Sequence, residues 1–263
     1  NQEIWIVPFM DPDGRWIVER ATYPPYNGSL PWMWRKNVNR TAAGSQNCGW
    51  PPTGEVSSHA GVDLNRNFDW FWNLGNTDVC NIFYRGQTPS SEPETQAVQN
   101  LFKSIFNDYK GSNLSDPAAT TTKGLLMNIH NTFGSVSWPW GHTSIYAPNH
   151  TALELLGTKI AGKVGYKAGQ MSVIPYNQKI YGTLDDWLYG TLGIPSFIEE
   201  LNYGYQPAYT SVDLNIWPQG HLNAFLYAAK VSREPYTLAF GPETSLVAVS
   251  TGSSAILTAS IND

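Results

Sequence analysis

The sequence predicts an α/β fold in which a central β-sheet is flanked by helices and followed by a short β-rich C-terminal extension. Three observations carry this. Gly124 to Asn131 and Pro195 to Asn202 are short apolar runs of strand length. Val98, Leu101, Phe102, Ile105 and Phe106 recur at helical spacing, as do Leu153, Leu156, Ile160 and Val164. Beyond Ser232 the texture turns polar and β-branched, with alternation around Ala255 to Ile261. A chain of 263 residues can bury one sizeable core with a small appendage, so the expected units are 1–232 and 233–263.

Composition narrows the function. A net charge of -5 with no basic run argues against nucleic-acid binding, and no apolar stretch approaches the ~20 residues of a membrane span. Charged residues make up 14% against roughly 25% in an average domain, whereas Trp and Tyr number 11 and 14; such an aromatic, weakly charged surface suits a secreted hydrolase. The chain opens on Asn1 with Glu3 close behind, so the expectation is a processed or cut piece. Asn27, Asn39, Asn113 and Asn149 stand in Asn-x-Ser/Thr sequences that would permit glycosylation.

In chain order, Glu3 to Phe9 alternates and reads as a buried strand ending in a turn at Asp11 to Gly14. Residues 15 to about 60 are rich in Pro, Gly and Asn and read as a long loop. Gly61 to Trp70, GVDLNRNFDW, opens as a strand, Val62 and Leu64 alternating with Asp63, and then sets Asn65, Arg66 and Asn67 side by side. A guanidinium beside two amides suits a carboxylate, although the pattern alone better describes a solvated loop with a charged tip. Cys48 and Cys80 bracket this stretch, either as two buried thiols or as a bridge. A bridge over a ~30-residue loop would restrict the unfolded chain by ~3–4 kcal/mol in the entropy view. After FYRG, Phe83 to Gly86, the capping-box spacing of Ser91 and Glu94 with Pro93 in the first turn starts a helix.

Gly124 to Asn131 reads as a buried central strand with His130 at its C-terminal end, where open α/β sheets present functional groups. His150 to Gly165 is a helix whose His150 and Glu154, one turn apart, belong on the wet face. In Pro195 to Asn202, alternation puts Ser196, Ile198 and Glu200 on one side and Phe197, Glu199 and Leu201 on the other, so only one glutamate faces a site. A last helix covers roughly Leu214 to Val231.

GVDLNRNF resembles the signature of zinc carboxypeptidases of the carboxypeptidase A, B and T kind, and further matches follow in family order over residues 1 to about 232. The resemblance implies a mixed central sheet and one zinc ion, acting on the C-terminus of a peptide or protein. It implies that Asn65 and Arg66 hold the substrate's terminal carboxylate, that Arg35, in WRK, polarises the scissile carbonyl, and that His130 ligates zinc. Glu200, in the Glu-Leu pair, would take a proton from the zinc-bound water. Gly141 and Asp185 would line the specificity pocket, Asp185 favouring Lys or Arg, and either Tyr181 or Tyr176 would cover the substrate. Cys48 and Cys80 would form the cystine that often flanks this motif. The C-terminal stretch resembles the opening of an immunoglobulin-like module.

The family takes two further zinc ligands from a His-x-x-Glu segment, and none exists in these 263 residues. Three readings follow. The chain is the larger part of a secreted zinc carboxypeptidase whose His-x-x-Glu lies elsewhere in the protein or in a complementary N-terminal fragment. Alternatively it is a pseudoenzyme that binds peptide C-termini, or a structural module.

Overall fold

The computed structural model describes residues 2–21, 34–41, 48, 59–175, 177–202, 217–241, 246–251 and 254–259. Its elements are α1 (Pro12–Ala21), α2 (Pro93–Ile105), β1 (Leu126–Asn131), β2 (Ser135–Trp138), α3 (His150–Val164), β3 (Lys167–Gln170), α4 (Leu184–Leu192), β4 (Ser196–Leu201), α5 (Trp217–Val231), α6 (Pro235–Leu238), β5 (Leu246–Thr251) and β6 (Ser254–Ala259). Four strands form one sheet in the order β1-β4-β2-β3. The pairs β1–β4 and β2–β3 are parallel and β2–β4 is antiparallel, so the sheet is mixed.

Alternation on β4 separates two cores. Phe197 packs with Val136 and Trp138 against Leu153, Leu156 and Ile160 of α3 and Ala224, Tyr227 and Val231 of α5. On the other face Leu184, Leu188 and Leu192 of α4 and Val98 and Phe102 of α2 close over Phe68 and Ile194. The predicted apolar stripes of α2 and α3 are these buried faces. Each fully buried Leu or Ile contributes about 1.5–3 kcal/mol, which is why the helices lie on the sheet rather than in solvent. Gly165 ends α3 in the left-handed conformation, its N–H bonded to Ala161 O. His150 and Glu154 pair at 3.5 Å on the outer side, as expected of a wet face. The first core runs on through Tyr236 and Ala239, and the Tyr236 hydroxyl donates to Gly193 O at 2.7 Å. β5 and β6 pair as an antiparallel hairpin. No described helix is long and apolar enough to cross a membrane.

Several expectations fail for identifiable reasons. Glu3 to Phe9 is irregular and wet on both sides, with Ile4 and Ile6 at 68% and 80% exposure and Trp5 at 58%. Alternation makes a segment fit for a sheet, but no described strand pairs with it. Asp11 to Gly14 is no isolated turn: Asp11 Oδ1 accepts the Gly14 N–H at 2.9 Å and its carbonyl accepts Arg15 N–H, starting α1 where a loop was expected. Gly61 to Leu64 is not a strand either. Asp63 Oδ1 accepts the Asn65 N–H at 3.1 Å and caps a 3-10 turn over Leu64–Arg66, a local bond that competes with sheet pairing. The capping box at Ser91 and Glu94 does not form; Ser91 Oγ turns to Glu92 Oε1 at 2.6 Å, and Asn67 Oδ1 accepts the Glu92 N–H. β1 is the edge of the described sheet rather than its centre, with Ile129 at 44% exposure.

Candidate active site

Asn37 and Val62 are joined twice, Asn37 N–H to Val62 O at 3.0 Å and Val62 N–H to Asn37 Oδ1 at 2.9 Å. This brings the Arg35 segment alongside the Arg66 segment. The approach is close enough that a Cβ on Gly61, whose φ is +100°, would stand 2.0 Å from Asn37 O, so only glycine fits. Beneath them Lys36 is fully buried, its ammonium donating to His59 O, Val79 O and Asn81 O at 2.7, 3.0 and 2.9 Å. Burial pulls the Lys36 pKa down from 10.5 to about 8, against the opposing charges of Asp63 and Asp78. Cys48 and Cys80 are joined in a disulfide, as the resemblance implied, and it ends at the turn that supplies two of those carbonyls.

Asp63 is the shared acceptor of this corner. Its Oδ2 takes the Arg35 Nε–H at 2.7 Å and lies 3.9 Å from Arg66 Nη1, and Asp63 is itself 2% exposed. Both guanidinium carbons stand 5.2 Å from the centre of the Phe83 ring. Asn65 Oδ1 accepts the Leu184 N–H at 2.9 Å, and Gly182, at φ +68°, lets its loop pass so close that a Cβ there would be 2.2 Å from Arg66 O.

The sheet delivers the other half. His130 and Glu200 are register partners at the C-terminal ends of β1 and β4, where side chains of parallel neighbours share a face. Burial lowers the His130 pKa from 6.5 to about 4, with Arg35 and Arg66 pushing the same way and Asp63 opposing, so the imidazole is neutral at pH 7. Burial raises the Glu200 carboxyl from 4.5 to about 7, helped by Asp185 and opposed by Arg35 and Arg66, and its buried Oε2 has no hydrogen-bond partner among the described residues. A cavity of about 260 Å³ opens between these parts, lined in part by Asp11, Arg35, Asp63, Asn65, Asn128 and His130.

Other predicted residues stand elsewhere. Asp185 does not line the cavity: fully buried, its carboxyl is bonded to Ser196 Oγ and, at 2.8 Å, to Asn128 Nδ2, and the wall position belongs to Leu184. Burial raises the Asp185 pKa to about 6. Gly141 also lies off the cavity, its N–H donating to Asp186 Oδ1 at 2.8 Å. Tyr181 is half-buried beside Gly182, and Tyr176 lies outside the described residues. Glu199, on the opposite face from Glu200, finds a partner the sequence did not name: His221 Nδ1 of α5, at 2.5 Å. Sequence reasoning also passed over Asp63, Lys36 and Phe83 as functional residues, although all three sit inside stretches already quoted.

Residues 1–228 match the family described as zinc carboxypeptidase. This chain belongs to that family. Human mast cell carboxypeptidase A is 33% identical over 172 residues, covering 62% of this chain and 34% of that protein. Bovine carboxypeptidase O is 27% identical over 221 residues, covering 78% and 48%. The chain thus spans about a third to a half of the curated relatives it matches. Among solved structures, bovine thrombin-activatable fibrinolysis inhibitor in complex with tick carboxypeptidase inhibitor aligns with a TM-score of 0.57 at 21% identity, over 88% of this chain and 67% of that one. Carboxypeptidase A from Helicoverpa armigera aligns at 0.58 and 20% identity, over 90% and 52%. These two show a shared fold.

The family implies zinc, which at a catalytic site takes three protein ligands and a water. His130, neutral and at the cavity wall, suits one of those places. Among the described residues no group of three His, Cys, Asp or Glu could hold a metal, so these donors do not by themselves fit a catalytic zinc.

Proposed function

We propose that the cavity is a carboxypeptidase active site, which receives the C-terminal end of a peptide or protein and hydrolyses its last peptide bond. The observation that supports this is the convergence of Arg35, Asp63, Asn65 and His130 on one cavity whose neighbouring carboxyl, Glu200, shares the field of Arg35 and Arg66. In this reading Arg66, with the amide of Asn65, grips the terminal carboxylate, which a guanidinium binds through two parallel hydrogen bonds. Arg35, anchored through Nε on Asp63, steadies the charge that grows on the scissile carbonyl oxygen; one such donor supplies ~3–4 kcal/mol in the transition state. Glu200 takes the proton from the attacking water and passes it to the leaving amine. The disulfide agrees with secretion, since such bonds persist in oxidising compartments.

A second reading, favoured by His130 being the single imidazole among the described residues that line the cavity, keeps the carboxylate clamp without turnover. One experiment addresses both. The protein expressed from its natural coding sequence is incubated with zinc and peptides, and released C-terminal amino acid is measured by mass spectrometry. Release from free peptides, none from amidated ones, and loss of at least about 10³-fold in Glu200→Gln with peptide binding retained is the expected result. Undiminished release by Glu200→Gln would overturn the assignment. Chelator-insensitive peptide binding with no release by the wild type would favour the clamp alone.

A further inference from the structure

We infer that Phe83 is a positioning residue that locks Arg35 and Arg66 to one another, so that the scissile carbonyl and the terminal carboxylate are held at a fixed separation. The inference rests on the roles just proposed for the two arginines. Two like charges in one corner repel, and the Asp63 carboxylate reaches them unequally, at 2.7 Å and 3.9 Å. The Phe83 ring treats them alike, each guanidinium carbon being 5.2 Å from its centre, within the ~6 Å over which a cation is drawn to an aromatic face. A ring contact fixes the plane of a guanidinium and leaves its edge N–H groups directed sideways, the geometry that hydrogen bonding to substrate oxygens needs.

The ring can act this way because its own backbone is tied to both arginine-bearing segments. Asn81 Oδ1 accepts the Phe83 N–H at 2.8 Å, making a tight turn three residues after Cys80. Lys36, next to Arg35, donates to Val79 O and Asn81 O in that same turn. Asp63, three residues before Arg66, donates its N–H to Tyr84 O at 2.9 Å. Phe83 is therefore built into the joint between the two segments rather than laid on it. At 38% exposure the ring is open enough to lie beside two partly hydrated cations.

The test compares Phe83→Leu, which keeps apolar bulk and removes the π face, with Phe83→Trp, which keeps the face. Steady-state kinetics on a peptide with a free C-terminus should show Phe83→Leu raising KM and lowering kcat, about tenfold together in kcat/KM, with Tm within about 2 °C of wild type. Phe83→Trp should stay within about twofold of wild type. The weakened binding of the inactive Glu200→Gln form caused by adding Phe83→Leu, read by calorimetry, should vanish for the amidated peptide, which offers no carboxylate to the clamp. Unchanged kinetics in Phe83→Leu, or equal losses in Leu and Trp variants, would overturn the inference while leaving the proposed function standing. A wild type that neither cleaves nor binds peptide would sink the proposed function itself.

Discussion

Lys36→Met removes the one buried cation that ties the Arg35 segment to the disulfide turn. Three carbonyls, those of His59, Val79 and Asn81, lose their donor at 2.7, 3.0 and 2.9 Å. A buried acceptor left without a partner costs ~1–3 kcal/mol, so the gross loss is about 3–9 kcal/mol. Against it stands the burden the native lysine already carries: a pKa drawn down from 10.5 to about 8 means that burying the charged form costs folding about 3 kcal/mol at neutral pH, which methionine avoids. At about 2 kcal/mol per acceptor the net expectation is destabilisation of about 3 kcal/mol at pH 7, within a range of about 0–6 kcal/mol, or roughly 6–12 °C in Tm for a chain of this size. The pH dependence is specific to this mechanism. Because the folded pKa lies below the unfolded one, between pH 8 and 10.5 the unfolded chain holds the Lys36 proton and the folded chain does not. Wild-type stability must then rise with pH relative to the variant, by up to about 3 kcal/mol above pH 10.5. Thermal and urea melts of both proteins at pH 7, 8, 9 and 10, with the disulfide intact, measure the gap. A variant more stable than wild type at pH 7, or a gap that does not widen as pH rises from 8 to 10, would refute the reasoning.

Two further outcomes are expected. Burial raises the Glu199 carboxyl, and the charge and hydrogen bond of His221 oppose this, so His221→Phe, which strands a buried carboxyl, should cost ~3–5 kcal/mol, whereas Glu199→Leu/His221→Phe together should recover most of it in urea melts. Equal stability of the single and double variants would show that the pair is not coupled. Gly182→Ala demands a left-handed residue and drives a methyl to 2.2 Å from Arg66 O; it should cost about 1–2 kcal/mol from the backbone alone and raise KM for free peptides more than it lowers kcat. An unchanged KM would mean that this loop does not position Arg66.

Periodicity made α2 and α3 legible, because each buries one apolar face and the face is written into the spacing, and short apolar runs marked β1 and β4. The corner that holds the site was legible only as residue types. Nothing in GVDLNRNF says that Asp63 would give up strand pairing to cap a turn with one carboxylate oxygen and anchor Arg35 with the other. Glu3 to Phe9 shows the opposite failure, an alternating pattern that no described strand pairs with.

By itself the sequence determined the chemistry available: two arginines, an amide, a histidine and a glutamate in the order of a known family, with two cysteines around the central motif. Tertiary structure decided how they act together. Register placed His130 opposite Glu200. Burial then set one near 4 and the other near 7. Segments 28 residues apart, at Arg35 and Asp63, were brought to hydrogen-bond distance. A pKa is set by desolvation and neighbouring charge, and an ion pair by distance; both are properties of position in space, which a linear order of residues does not contain.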